Sequence, residues 1–409
     1  MHPSEAIRGR RSELLTGRRI VIGISGSIAA TETPRIVREL VRHGAHVEAV
    51  MTKDALGIIT AEALRFATGS PPMTEITGDV EHVRHLGRGP GRADLLLLAP
   101  ATANTLSKIA HGIDDTPVTT FASIALGGGV PVLVAPAMHE DMTRNPAVRE
   151  NLQRLEQMGV HFVPPAMEEG EAKLAAPETV AAHVLHLLAR GPWKGRKVVV
   201  IGGSTSEPLD EVRSLTNEGS GRVALSLVTQ AFYRGAEVEA WLGQLRVPVP
   251  PFLAPKRFTT LSDLRELIKT ESKSLKEADA VMVPAALSDF TLKKQAGKIP
   301  SLQEKLILEL TKAEKVLPEL RHLVRAPSLL VGFKLEAGLS PRALQERAWV
   351  YLQATGCDAL VANNRESMGG TAAEVYLVRP EGKVHPYSGP KDVVAGRLLD
   401  DLGESLPPK

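Results

Sequence analysis

The sequence predicts two doubly wound α/β domains in tandem, each a Rossmann-like parallel sheet covered by helices, and three observations predict it. Apolar runs such as "RRIVIGI" and "KVVVIGG" are continuous rather than alternating, as strands buried on both faces are. Each run passes through a turn rich in glycine and serine into a stretch of helical periodicity and then into a second apolar run, which makes a βαβ unit. The plan also occurs twice: "RHGAHVEAV" at 42–50 is echoed by "YRGAEVEAW" at 233–241, and "ADLLLLAPATANT" at 93–105 by "ADAVMVPAALSDF" at 278–290.

Composition agrees with this reading. A chain of 409 residues exceeds one ordinary core. Its 43% hydrophobic and 23% charged residues, with 35 glycines, exclude a disordered or fibrous protein. The net charge is +2 and the basic residues are scattered, so no nucleic-acid footprint is present and small-molecule partners are expected. The single cysteine, Cys357, rules out an internal disulfide framework and a thiolate zinc site, and it points to a reducing, cytoplasmic setting. The opening "MHPSEAIRGRRSELL" lacks an apolar stretch of signal-peptide length, and no run reaches the length of a membrane span, so no membrane partner is expected.

In chain order, an extension over 1–18 precedes a first domain at 19–190, and the Gly/Pro-containing linker "LLARGPWKGRK" leads to a second at 191–409. The first domain begins with a strand to about Gly23, followed by the turn "SGSIAA", an amphipathic helix and a strand ending at Met51 and Thr52. Further on, "ADLLLLAP" and "VPVLV" are buried strands that open into the loops "PATANT" and "APAMHEDM". The second domain repeats the start with a strand to Gly202, a longer loop, the helix "RVALSLVTQAFYRGA" and the strand "EVEAWLG". Ligands of such sheets bind beyond the carboxyl ends of the strands, which are these loops.

Neither half carries a GxGxxG, and neither second strand ends in an acid for a ribose; both facts disfavour a nicotinamide dinucleotide. Hydroxyls at Ser27 and Thr52, beside backbone N–H groups at helix starts, suit a phosphate monoester such as that of a mononucleotide; ordinary turn chemistry is the competing explanation. The small residues of "PATANT" let a flat ring approach the backbone, Met138 offers a thioether to pack on it, and His139 stands in a loop. His82 and His85 form an HxxH pair, open to a zinc reading or to a purely structural one.

Taken together, "GSIAA", "EHV" at 81–83, "PATANT" and "PAMHEDM" resemble the flavin-dependent cysteine decarboxylase family. The resemblance implies FMN bound by Gly26, Ser27, Thr52, Thr102, Thr105 and Met138, with His82 as the base and a symmetric homo-oligomer. A neutral imidazole can take the substrate proton without costly charge burial. His139 occupies the place of the family asparagine that holds the substrate carboxylate, a replacement that resembles archaeal members. The flap "MEEGEAKLAAP" lacks the family cysteine, which leaves Lys173 as a proton donor there or as an ordinary solvated lysine.

The second half is similar to phosphopantothenate–cysteine ligases through "EPLDEVRSLTNEGSGR" at 207–222. Arg213 and Asn217, four residues apart, share one face if the segment is helical. The resemblance gives them the activated carboxylate and its anhydride with a nucleotide, and the bare glycines the approach to a phosphate. It also assigns Ala285, Asp289, Lys298, the run Ala313, Glu314, Lys315 and Val316, and Phe333 to the nucleotide, usually CTP with Mg2+. Tyr351 and Thr355 stand where members place two lysines, with Arg347 one turn earlier. The implied function is coupling of 4′-phosphopantothenate to cysteine followed by decarboxylation of the product. The alternatives are a flavoprotein binding or regulatory subunit with degenerate sites and a nicotinamide-dependent reductase.

Overall fold

The first apolar run becomes strand β1, Arg19–Ile24, and the elements up to residue 189 are arranged around it. The computed structural model describes residues 2–168, 171–300, 305–367 and 370–408. They form two units, Met1–Ala189 and Arg190–Lys409.

In the first unit a turn capped by Ser27 leads from β1 into α1, Thr33–Arg42, and back through β2, His46–Met51. Helices α2, Lys53–Leu56, α3, Ala61–Thr68, and α4, Glu81–Leu86, precede the fully buried β3, Leu95–Ala101. Then come α5, Ala103–Ala110, α6, Pro117–Gly128, β4, Val132–Pro136, α7, Glu140–Arg144, and α8, Pro146–Gln157. Strand β5, His161–Phe162, the hairpin β6, Ala166–Glu168, with β7, Glu171–Lys173, and α9, Pro177–Leu188, close the unit. The sheet has the order β2-β1-β3-β4-β5 and is parallel throughout. Its carboxyl ends therefore carry Ser27, Thr52 and Thr102 to one edge. Residues before β1 are part of this unit's packing: Leu15 is buried, and Arg18 meets Asp94 at 2.7 Å.

The second unit starts with β8, Lys197–Gly202, the small hairpin β9, Ser206–Pro208, with β10, Ser214–Thr216, then α10, Arg222–Tyr233, and β11, Glu237–Leu242. Elements β12, Lys256–Arg257, α11, Leu261–Thr270, α12, Ser272–Glu277, and β13, Ala280–Val283, follow. A ribbon of β14, Phe290–Thr291, and β15, Thr311–Lys312, leads to α13, Val316–Leu323, β16, Leu329–Glu336, and α14, Pro341–Thr355. The unit ends with β17, Ala359–Asn364, β18, Ala372–Val378, β19, Val384–Pro390, and α15, Lys391–Gly403.

This sheet, ordered β12-β11-β8-β13-β16-β17-β18-β19, is parallel only as far as β17. The expected parallel sheet is present, and two antiparallel strands, β18 and β19, extend it at one edge. The turn from Arg379 to Lys383 is closed by its own backbone hydrogen bonds, and a parallel return needs a crossover of a dozen or more residues.

The repeated Ala-Asp pair has a structural cause. Asp94 accepts the N–H of Arg19 at 2.9 Å and pairs with Arg18, while Asp279 accepts the N–H of Lys197 at 2.9 Å and pairs with Arg196 at 2.7 Å. In the first unit the acid before β3 clamps the start of β1, and in the second the acid before β13 clamps the start of β8. Gly202 also has a packing role, because a Cβ there would lie 2.1 Å from the Cβ of Ala224 on α10.

Candidate active sites

In the first unit three hydroxyls cap three helical starts at the strand ends. Ser27 accepts from Ala29 N–H at 3.3 Å, Thr52 from Ala55 N–H at 3.2 Å and Thr102 from Thr105 N–H at 3.3 Å. Buried Ser25 joins two of these loops, donating to Pro100 O and accepting from Thr102 N–H, both at 2.9 Å. A cavity of about 400 Å³ opens here, and Gly26, Ser27, Thr52, Thr102, Thr105 and Met138 all line it. A Cβ at Gly26 would lie 2.4 Å from Asp54 Cβ, so the turn packs onto the start of α2 only as glycine. Asp54 lines the cavity too; a search confined to the last residue of β2 passes over it.

Ser27 and Met138 also border a second cavity of about 700 Å³, which brings His139 and Lys173 together. His139 caps α7 and accepts at Nδ1 from Asp141 N–H at 3.2 Å. Lys173 ends β7 rather than lying in an open loop, and residues 169–170 of the flap fall outside the described residues. His82 lines neither of these cavities. It sits on α4 with its ring edge-on to Phe121, 6.5 Å between centroids, and its buried Nδ1 has no hydrogen-bond partner. His85 differs: its Nδ1 lies 3.0 Å from Glu48 Oε2 and its ring stacks on Phe121. That contact with Glu48 separates His85 from His82. Among the described residues no three His, Cys, Asp or Glu side chains converge to hold a metal.

In the second unit the Arg213–Asn217 segment is not helical, contrary to the shared-face expectation, because it forms β10 paired to β9. The turn between the strands is built on buried Asp210, whose carboxylate accepts N–H groups from Val212 at 2.7 Å, Arg213 at 2.6 Å and Ile299 at 3.0 Å. Those donors, the Ile299 amide first, draw its pKa down to about 2 against the opposing effect of burial. Arg213 donates to Asp210 and to Ile299 O, both at 3.2 Å, so it ties the turn to the loop that also carries Lys298.

A cavity of about 640 Å³ lies beyond the strand ends, lined by Asn217, Ala285, Asp289, Glu314, Lys315, Val316, Phe333 and Tyr351. Asp289 pairs with Lys315, and the Lys334 ammonium lies 5.1 Å from the centre of the Tyr351 ring. Four expected residues are not on this wall: Arg213, Lys298, Ala313 and Thr355. Arg213 is held by Asp210, Ala313 is buried with its N–H on Asp289 O, and buried Thr355 donates to Tyr351 O. Lys298 is exposed beside Ile299. Asn217 gives its Nδ2 hydrogens to Ala286 O and Leu287 O, each at 3.1 Å, and so fixes the loop before Asp289.

Comparison with known proteins gives a consistent result for both units. Residues 8–189 match the family described as Flavoprotein, and residues 193–405 match the DNA/pantothenate metabolism flavoprotein C-terminal domain. The coenzyme A biosynthesis bifunctional protein CoaBC of Thermococcus kodakarensis is 41% identical over 409 residues, covering 99% of this chain and 100% of its own length. The chain belongs to the family of coenzyme A biosynthesis bifunctional proteins. It is accordingly a bifunctional enzyme with carboxy-lyase and ligase activities. The relative from Methanocaldococcus jannaschii is 34% identical over 406 residues, 98% of this chain and 97% of that one. Among solved structures, a DNA/pantothenate metabolism flavoprotein from Streptococcus pneumoniae is 23% identical over 51% of this chain and 99% of its own, with a TM-score of 0.45.

For this bifunctional enzyme the sequence reading passed over Glu207 and Asp210. Glu207 accepts Leu261 N–H at 2.9 Å, so the two acids of "EPLD" hold backbone rather than face the cavity. The depressed Asp210 pKa, about 2 against an ordinary 3.8, contributes stability above pH ~4 that is lost as pH falls toward 2. Asp210→Asn should therefore flatten the loss of urea resistance of the second unit between pH 5 and pH 3. An unchanged pH slope in the variant would show that Asp210 does not carry this linkage.

Proposed function

We propose that the second unit couples 4′-phosphopantothenate to cysteine at the expense of CTP and that the first unit decarboxylates the product to 4′-phosphopantetheine with FMN. The full-length relative from Thermococcus kodakarensis, combined here with a separate cavity at the strand ends of each unit, is the observation that carries this reading.

The hydroxyl-lined turns around Ser27, Thr52 and Thr102 suit one phosphate monoester, and Met138 suits the face of a flat ring. Bound FMN would take two electrons from the thiol-bearing carbon of the substrate, which lets the neighbouring carboxylate leave as carbon dioxide, and the reduced flavin would return them to the resulting ene-thiol to give the thiol product. In this reading His139, which lines the larger cavity with Lys173, holds that carboxylate, Lys173 returns a proton, and His82, which lines neither cavity of the unit, takes one. In the ligase the substrate carboxylate attacks the α-phosphorus of the triphosphate and expels pyrophosphate. The cysteine amine then attacks the acyl carbon of the mixed anhydride and releases the nucleoside monophosphate. Phe333, Tyr351 and Lys315 form the nucleotide wall, and Asn217 exchanges one of its carbonyl partners for an anhydride oxygen. Arg213 keeps the Asn217 hairpin in place. Magnesium accompanies the triphosphate and offsets its charge during the displacement. A cytoplasmic homo-oligomer belongs to the same reading, and the exposed Ile28, Phe66 and Val83 offer apolar surface for an assembly.

Mass spectrometry of products from 4′-phosphopantothenate, cysteine and each of the four nucleoside triphosphates tests the ligation, with CTP expected to give the highest rate. Heat-released cofactor is expected to be FMN. Release of FAD, or no phosphopantothenoylcysteine with any triphosphate, overturns the corresponding half.

A further inference from the structure

Tyr351 and Thr355 of α14 occupy two places where similar ligases carry lysine, and neither brings a charge. Thr355 is buried, whereas Tyr351 brings its side chain to the 640 Å³ cavity beyond the strand ends. A triphosphate is a polyanion, and its site needs cations aimed at it. Three line this cavity among the described residues: Lys315, Lys334 and Arg365. Lys315 is engaged by Asp289, and Arg365 faces Glu218 at 3.7 Å with both side chains mostly exposed.

Lys334 is held differently. It stands on β16 two residues before Glu336, so the two side chains share one face of the strand. Glu336 divides its carboxylate: Oε2 accepts from Arg347 of α14 at 3.3 Å, and Oε1 lies 3.4 Å from the Lys334 ammonium. That contact is an ion pair without a hydrogen bond, and none of the three ammonium N–H groups has a hydrogen-bond acceptor among the described residues. The ammonium lies 5.1 Å from the centre of the Tyr351 ring, and an aromatic face attracts a cation without satisfying its N–H donors. A positive charge with open donors thus stands against α14 beside one of the two lysine places, and it reaches there from β16 rather than from the helix.

We propose that Lys334 supplies a cationic contact to the triphosphate in this ligase, with Tyr351 and Arg347 as positioning residues. The Tyr351 ring holds the ammonium at the cavity, and Arg347 occupies the carboxylate that would otherwise pair fully with the lysine. The identity of the anion as a nucleoside triphosphate rests on the proposed function, whereas the binding of an anion by Lys334 in this cavity does not.

The test compares wild type with Lys334→Met, which removes the charge and keeps an unbranched side chain, and Lys334→Arg, which keeps the charge. Loss of a charge-assisted hydrogen bond raises KM for CTP by about 10- to 100-fold in the Met variant. KM for 4′-phosphopantothenate and for cysteine stays near wild type, and the Arg variant retains part of the affinity for CTP. Adding Tyr351→Lys to Lys334→Met returns a lysine to α14 at the same place, and part of the lost affinity for CTP returns with it. An unchanged KM for CTP in Lys334→Met overturns the proposal, as does an equal rise for all three substrates or a double variant no better than the single one. If the wild type makes no phosphopantothenoylcysteine with any triphosphate, the ligase reading fails by itself, and the thermal shift caused by CTP alone then decides. A shift in wild type that falls in Lys334→Met and returns in the double variant supports the site, and equal shifts, or none in wild type, refute it.

Discussion

Replacing His82 by asparagine is expected to abolish carbon dioxide release from supplied 4′-phosphopantothenoylcysteine while ligation continues near the wild-type rate. Three observations separate His82 from an ordinary core histidine. Its Nδ1 is buried without a partner, whereas His85, one turn on, is paired with Glu48. Glu81 beside it is fixed by Thr77, which donates its hydroxyl at 2.5 Å and its N–H at 3.0 Å, so α4 is held at the residue before His82. Val80, which opens that helix, has φ +46°, a backbone region that β-branched residues avoid and that is kept where the surroundings demand it. Asparagine fills much of the imidazole volume and forms hydrogen bonds, but it cannot take a proton. Loss of a general base lowers rates by about 10²–10⁴. Isotope-labelled carbon dioxide release measures the first reaction, and the mass of the ligation product measures the second. Loss of both in a folded variant that keeps its flavin spectrum would mean that His82 is not the base or that the two units do not act independently.

The parts of the fold that could be read from sequence are those in which a local signal and its structural cause coincide. Continuous apolar runs became the central strands, and hydroxyl residues directly after them became the helix caps at Ser27, Thr52 and Thr102. The repeated Ala-Asp pair was legible as a pattern before its cause, the clamp on the first strand, was visible. What failed depends on contacts between distant residues. A spacing of four suited Arg213 and Asn217 to a helix, but three amides converging on Asp210, one of them 89 residues away, impose a turn and a hairpin instead. Thr355 matched an aligned position yet is buried at the last residue of α14, one turn beyond Tyr351, with its hydroxyl on Tyr351 O.

Asn217→Asp is expected to lower ligation by about 10²–10³, the usual effect of losing one donor to developing negative charge, while decarboxylation of supplied phosphopantothenoylcysteine stays near wild type. Asn217 has two roles that the same substitution removes together. In the free enzyme its amide hydrogens reach the carbonyls of Ala286 and Leu287, both at 3.1 Å, and position the loop that leads to Asp289. With substrate, the proposed function needs one of those hydrogens at the anhydride oxygen. An ionised aspartate donates neither and places negative charge against two carbonyl oxygens and a forming anhydride. Asn217→Ala removes the donors without adding the charge, so its loss should be the smaller of the two. A KM for CTP that rises in both variants by the same factor, with kcat unchanged, would assign Asn217 to loop positioning alone. A fall in decarboxylation matching the fall in ligation would instead join the two units into one functional site. The expected split, ligation lost and carbon dioxide release kept, is the mirror image of the His82→Asn result, and a stability defect in a single fold would not produce both.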